Sequence, residues 1–135
     1  MGRYLAIIDE ADGEFGVIFP DAPGCTAMGS TQEEAIDNAI EALEEWAADE
    51  ASDGRPVGKP RSYRQILKSG EFPQLGKGVM IATLPLLFES GKLARANVSM
   101  DAGLLASIDE AASARGLTRS SFLASAARDK LKASF

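Results

Sequence analysis

The tightest constraint on this chain lies in residues 92–135, where the apolar pattern supplies one strand and two short helices and then stops. Lys92-Leu93-Ala94-Arg95-Ala96-Asn97-Val98-Ser99-Met100 alternates: Ala94, Ala96, Val98 and Met100 share one face, and Leu93, Arg95, Asn97 and Ser99 the other. Asp101 is placed to cap a helix whose apolar positions are Leu104, Leu105, Ile108, Ala111 and Ala112, with Gly116 ending it. Thr118 then caps a second helix carrying Phe122, Leu123, Ala126, Ala127 and Leu131 at helical spacing. One strand and two such helices cannot bury a core alone, so this unit is expected to be completed by a second copy of itself. Ala96, Val98, Met100, Leu104, Ile108, Phe122 and Leu123 form the expected dimer core.

The preceding residues read as a separate α+β unit. Tyr4, Ala6 and Ile8 alternate with Leu5, Ile7 and Asp9, Asp12-Gly13 supplies a turn, and Phe15, Val17 and Phe19 resume the alternation, which is the pattern of a β-hairpin. Pro20-Asp21-Ala22-Pro23-Gly24 forces a loop before a short third strand over residues 25–29. Thr31-Gln32-Glu33-Glu34 fits a capping box, opening a helix with Ala35, Ile36, Ala39, Ile40, Leu43, Trp46 and Ala47 on its apolar face and Glu33, Asp37, Glu41, Glu44 and Glu45 outside. Residues 52–62 break all periodicity, and residues 63–69 suit a short helix ended by Gly70. Val79-Met80-Ile81-Ala82-Thr83-Leu84-Pro85 has the composition of a strand buried on both faces. The expected order is βββα(α)β over residues 1–87, then a linker, then the strand and two helices of residues 92–135.

Charge follows the same division. Residues 1–91 carry 7 Lys+Arg against 16 Asp+Glu, whereas residues 92–135 carry 7 against 4, so the whole-chain net of −6 hides an acidic unit and a basic one. Such asymmetry suits a chain whose one part meets nucleic acid and whose other part either meets a basic partner or is simply kept soluble by its charge. With a single cysteine, Cys25, and no histidine, a disulfide framework, a Cys/His metal cluster and a Ser-His or Cys-His nucleophile are all excluded. Cys25 reads as a small buried apolar residue. No apolar run nears the roughly 20 residues needed to cross a bilayer, and the opening residues carry no cleavable leader pattern, so a cytoplasmic protein without a membrane partner is expected.

Two resemblances extend this reading. The run from Arg95 to Leu123, with Val98-Ser99-Met100-Asp101, Leu104, Ile108-Asp109 and Gly116-Leu117-Thr118-Arg119-Ser120, resembles the ribbon-helix-helix DNA-binding fold. In that fold two chains pair their strands into an antiparallel ribbon that lies in the major groove. Alternate ribbon residues then face base edges, which makes Arg95, Asn97 and Ser99 the expected readers, with arginine suited to guanine and asparagine to adenine. The N-terminus of the second helix offers free N–H groups and a positive dipole end, so Thr118, Arg119 and Ser120 are expected to hold a phosphate. Taken singly, Arg95 or Asn97 on a solvated edge strand would need no such role, and Arg119 and Ser120 would serve as helix-capping residues. It is their coincidence with the charge reversal that carries the expectation.

The second resemblance covers residues 3–85 and is to the HicB antitoxin family. It is carried by Phe15-Gly16-Val17-Ile18-Phe19-Pro20-Asp21-Ala22-Pro23-Gly24-Cys25, then Gly29-Ser30-Thr31, Glu33-Glu34-Ala35 and the helix through Trp46. That resemblance implies a partial RNase H-like fold, a small basic HicA-like RNA-cleaving toxin as partner, and repression of the shared operon by the C-terminal unit bound to operator DNA as a homodimer, with a tetramer left open. It also raises metal-dependent cleavage, for which Asp9, Asp12, Glu14, Asp21 and Glu33 are the available carboxylates. Their scatter over a hairpin, a Pro-rich loop and a helix start argues against a common site, so the chain is expected to be a binder without cofactor or metal, not an enzyme. A ligand-sensing ribbon-helix-helix regulator is the alternative.

Overall fold

The computed structural model describes residues 2–89 and 91–133, and the chain divides into two units, 1–88 and 89–135. In unit 1 the strands β1 (Gly2–Ala11), β2 (Glu14–Ile18), β3 (Thr26–Gly29) and β4 (Met80–Leu86) form one antiparallel sheet in the order β3-β2-β1-β4. Helix α1 (Gln32–Ser52) and the short helix α2 (Tyr63–Ser69) lie between β3 and β4 in the chain. The expected α+β order is therefore present.

Local chemistry accounts for the turns and caps. The β1–β2 hairpin closes on two residues, Asp12 at φ 53° and Gly13 at φ 79°, the pair of positive angles that matches the twist of the flanking strands. The Thr31 hydroxyl caps α1 by accepting from the Glu34 N–H at 3.1 Å. The return half of the expected capping box is replaced, because the Glu34 carboxylate instead accepts from the Ser30 hydroxyl at 2.8 Å. A complete box forms at α2, where Ser62 and Gln65 satisfy each other's N–H groups.

Both faces of β1 are buried. Tyr4, Ala6 and Ile8 pack with Val17, Leu84 and Leu86 against the Ala35, Ala39, Leu43 and Ala47 row of α1. Leu5 and Ile7 point the other way, onto Ile66 of α2 and Leu75. The strand expected to be buried on both faces, β4, is instead an edge strand: it pairs only with β1, and Met80 and Ile81 are exposed. Pro85 fits that position, since its missing N–H costs nothing on an open edge.

Unit 2 contains α3 (Ala102–Ala114) and α4 (Arg119–Ala133). Asp101 caps α3 through the Leu104 N–H at 3.0 Å. At its other end Gly116 takes φ 67° while Leu117 N–H bonds Ala112 O and Gly116 N–H bonds Ser113 O, the paired bonds of a Schellman stop. Residues 92–100, expected to alternate as a strand, form no β-ladder among the described residues. A strand needs a partner to register as one.

Candidate functional site

Unit 2 presents an unfilled apolar surface beside polar side chains. Among its described residues only Ile108 and Ala112 are buried, and α4 buries none. Of the expected dimer core, Ile108 is buried, Met100, Phe122 and Leu123 are half-buried, Ala96 is exposed, and Val98 and Leu104 are 69% and 53% exposed. Arg95, Asn97 and Ser99 are exposed along residues 92–100.

The start of α4 is more committed than its sequence implies. Thr118 Oγ1 accepts from the Ser121 N–H at 3.1 Å and donates to the Ser121 hydroxyl at 3.0 Å. Arg119 donates through Nε to Asp109 Oδ1 at 2.8 Å and through Nη2 to Asp109 Oδ2 at 2.7 Å. These bonds hold the Asp109 carboxyl below the usual carboxylate range and raise the Arg119 guanidinium. A second fork joins Arg128 of α4 to Glu89, with Nη2 at 2.6 Å from Oε1 and Nε at 2.9 Å from Oε2. It lowers the Glu89 carboxyl likewise. Arg115 lies 5.8 Å from the Phe122 ring centroid. No local sequence pattern pairs Asp109 with Arg119 or Glu89 with Arg128; the one available signal is opposite charge on either side of the Gly116 stop.

In unit 1, α1 carries eight carboxylates and no Lys or Arg, with Glu33, Asp37, Glu41, Glu45 and Asp49 exposed. The residues floated for metal chemistry do not converge. Asp9, Asp12 and Glu14 sit at the exposed end of the hairpin and Glu33 opens α1. Asp21 is only 14% exposed and is spent on Arg61, accepting from its N–H at 2.7 Å and its Nε at 2.8 Å. Among the described residues no three His, Cys, Asp or Glu groups gather in a metal-binding arrangement.

Asp21 thereby ties the Pro-rich loop to residues 53–62. Residues 54–62 border an open groove of about 1300 Å³ that is also lined by Tyr4, Leu5, Tyr63, Leu86 and Phe88. Tyr4 donates to Gly58 O at 3.2 Å and meets Trp46 edge-on at 6.3 Å. Burial, then the Asp21 carboxylate, pushes its phenol up. Cys25 is buried, and burial followed by Glu45 raises its thiol, the condition of an inert packed cysteine. Among the described residues no helix is long and apolar enough to cross a membrane.

The chain thus joins an acidic sheet-and-helix unit to a basic helical unit whose described residues bury little apolar surface. A family model described as a HicB-like antitoxin of bacterial toxin–antitoxin systems matches residues 4–127, and the chain belongs to that family. It is similar to the Burkholderia pseudomallei antitoxin HicB crystal structure, at 29% identity over 97% of both chains with a TM-score of 0.55. It is also similar in fold to a chain of a HicA3–HicB3 toxin–antitoxin complex, at 23% identity over 62% of this chain and 96% of that one with a TM-score of 0.51. A further relative is an uncharacterized 14.9 kDa protein of Haemophilus phage HP1, 28% identical over 95% of this chain and 96% of that protein.

Proposed function

We propose that this chain is the antitoxin of a toxin–antitoxin pair, neutralising a small basic HicA-like RNA-cleaving toxin through unit 1 and repressing its own operon through unit 2. The observation that carries the reading is the family match, which spans both units. The excess of negative charge on α1, where Arg55 pairs with Glu50 and Glu33, Asp37, Glu41, Glu45 and Asp49 are exposed, supports it, since a protein that grips RNA is itself basic and complementary fields speed encounter. The exposed Val98 and Leu104 support a second copy as partner for unit 2. In that homodimer residues 92–100 of two chains pair as a ribbon, Arg95, Asn97 and Ser99 face base edges, and the start of α4 meets a phosphate. The partial RNase H-like description of unit 1, association of dimers into a tetramer and a cytoplasmic setting belong to the same proposal.

Co-expression with the product of the adjacent gene tests it. A small basic protein that arrests growth alone, is silenced by this chain and co-purifies with it is the expected outcome. Growth arrest that this chain does not relieve would overturn it. The ligand-sensing alternative draws on the groove of unit 1, and an adjacent enzyme or transporter gene in place of a toxin would favour it.

A further inference from the structure

Arg119 is the first residue of α4, where a DNA phosphate is expected to sit, yet its guanidinium is already held. Two parallel N–H···O bonds of 2.8 and 2.7 Å bind it to Asp109 of α3, the fork geometry in which arginine holds a carboxylate most strongly and which a phosphate would otherwise claim. A guanidinium and a carboxylate joined in this way present no net charge, and a cation already neutralised adds little to the counterion release that drives sequence-independent DNA binding. Asp109 is in place before any DNA arrives, so a phosphate must displace a partner that the fold already presents. The Thr118 hydroxyl is committed as well, to Ser121. Among the described residues, what remains at the start of α4 is the main-chain N–H groups of Arg119 and Ser120, the Ser120 hydroxyl and the proton of the Ser121 hydroxyl.

Resting on the operator-binding reading above, we propose that Asp109 withholds the Arg119 side chain from the DNA backbone. Asp109 is thus a specificity-determining residue: it limits the affinity that charge alone would give to any duplex, and leaves discrimination to the ribbon residues. The phosphate at the start of α4 is held by main-chain N–H groups and Ser120, with Arg119 as a positioning residue that fixes α4 against α3.

The test uses the full chain and measures binding to the operator duplex and to a random duplex across a salt series. Asp109→Asn, with Asp109→Ser as a second charge-free variant, is expected to bind random DNA several-fold more tightly at low salt. The salt dependence of log K should steepen by about 0.9 for each freed arginine. Adding Arg119→Gln to Asp109→Asn returns the slope to that of the parent, and Asp109→Glu leaves it there throughout. A parent-like slope in folded Asp109→Asn and Asp109→Ser overturns the proposal. So does a loss of about 0.9 per subunit in Arg119→Gln alone, which would place Arg119 on a phosphate already. If the parent chain binds neither duplex at any salt, the operator-binding reading falls and this proposal with it; if the parent binds and only the variants misbehave, the reading stands.

Discussion

At Gly29 a missing side chain sets the distance between β3 and α1. A Cβ there would collide with Ala35 N and lie 2.8 Å from Ala35 Cα and 2.9 Å from the Glu34 carbonyl carbon. All three are backbone atoms of the first turn of α1, so no side-chain rotation relieves the clash, and the turn capped by Thr31 must move. Gly29→Ala is therefore expected to cost about 1–3 kcal/mol, the usual range for overpacking a closed contact, read as a lower urea midpoint. Gly16 on β2 is the control, because a Cβ there meets nothing within 4 Å. Gly16→Ala should be neutral or gain up to about 1 kcal/mol by restricting the unfolded chain. Equal losses at both positions would show that glycine acts through strand propensity and not through the close approach.

At the scale of elements, α4 buries no residue fully, half-buries Phe122 and Leu123, and adds two exposed ion pairs to that packing. Its Arg119 and Arg128 each fork onto a carboxylate, Asp109 and Glu89, and both carboxyls lie below their ordinary values. A carboxyl lowered by folding stabilises the folded form above its unfolded pKa, and that contribution is lost as pH falls through the folded value. Unit 2 is thus expected to loosen as carboxylates protonate, modestly because both pairs are solvent-exposed and screened. The combined variant Asp109→Asn, Glu89→Gln should melt lower at neutral pH and show a flatter acid branch of Tm against pH; an unchanged acid branch would remove these pairs from the account. Neither partnership was legible in the sequence, since each joins residues that only the tertiary turn or the linker brings together. The same holds for Asp21 and Arg61, 40 positions apart. The caps at Thr31 and Asp101, the Asp12-Gly13 turn and the apolar row of α1 were legible because each is set by residues within a few positions. The standing of β4 was not: strand order decides which strand is central, and an apolar run at an edge resembles one in the middle. The double burial of β1 was written in its own residues, because Leu5 and Ile7 are as apolar as the Tyr4, Ala6 and Ile8 they alternate with.

For the whole molecule, the two units differ in charge, in completeness of core and in proposed partner, which makes their functions separable by experiment. Arg95→Ala and Asn97→Ala alter exposed side chains of unit 2 and should weaken operator binding by about 1–3 kcal/mol each where each makes a good bidentate base contact. Toxin association should be untouched. The converse cut needs the right boundary. A break after Pro85 would remove Leu86, which is buried and pairs with Gly2 at the end of β4, so the fragment to test ends after Phe88, where the first unit closes. Residues 1–88 are expected to bind toxin with an on-rate that falls as salt rises, through the carboxylates of α1, and to leave the operator unrepressed. Toxin binding that survives in residues 1–88 but with a salt-independent on-rate would keep the partner and discard the steering. Loss of toxin binding in the fragment, with the sheet still folded by circular dichroism, would mean that unit 2, or the dimer proposed for it, is part of the toxin-binding surface itself, and the separation of roles by unit would have to be given up.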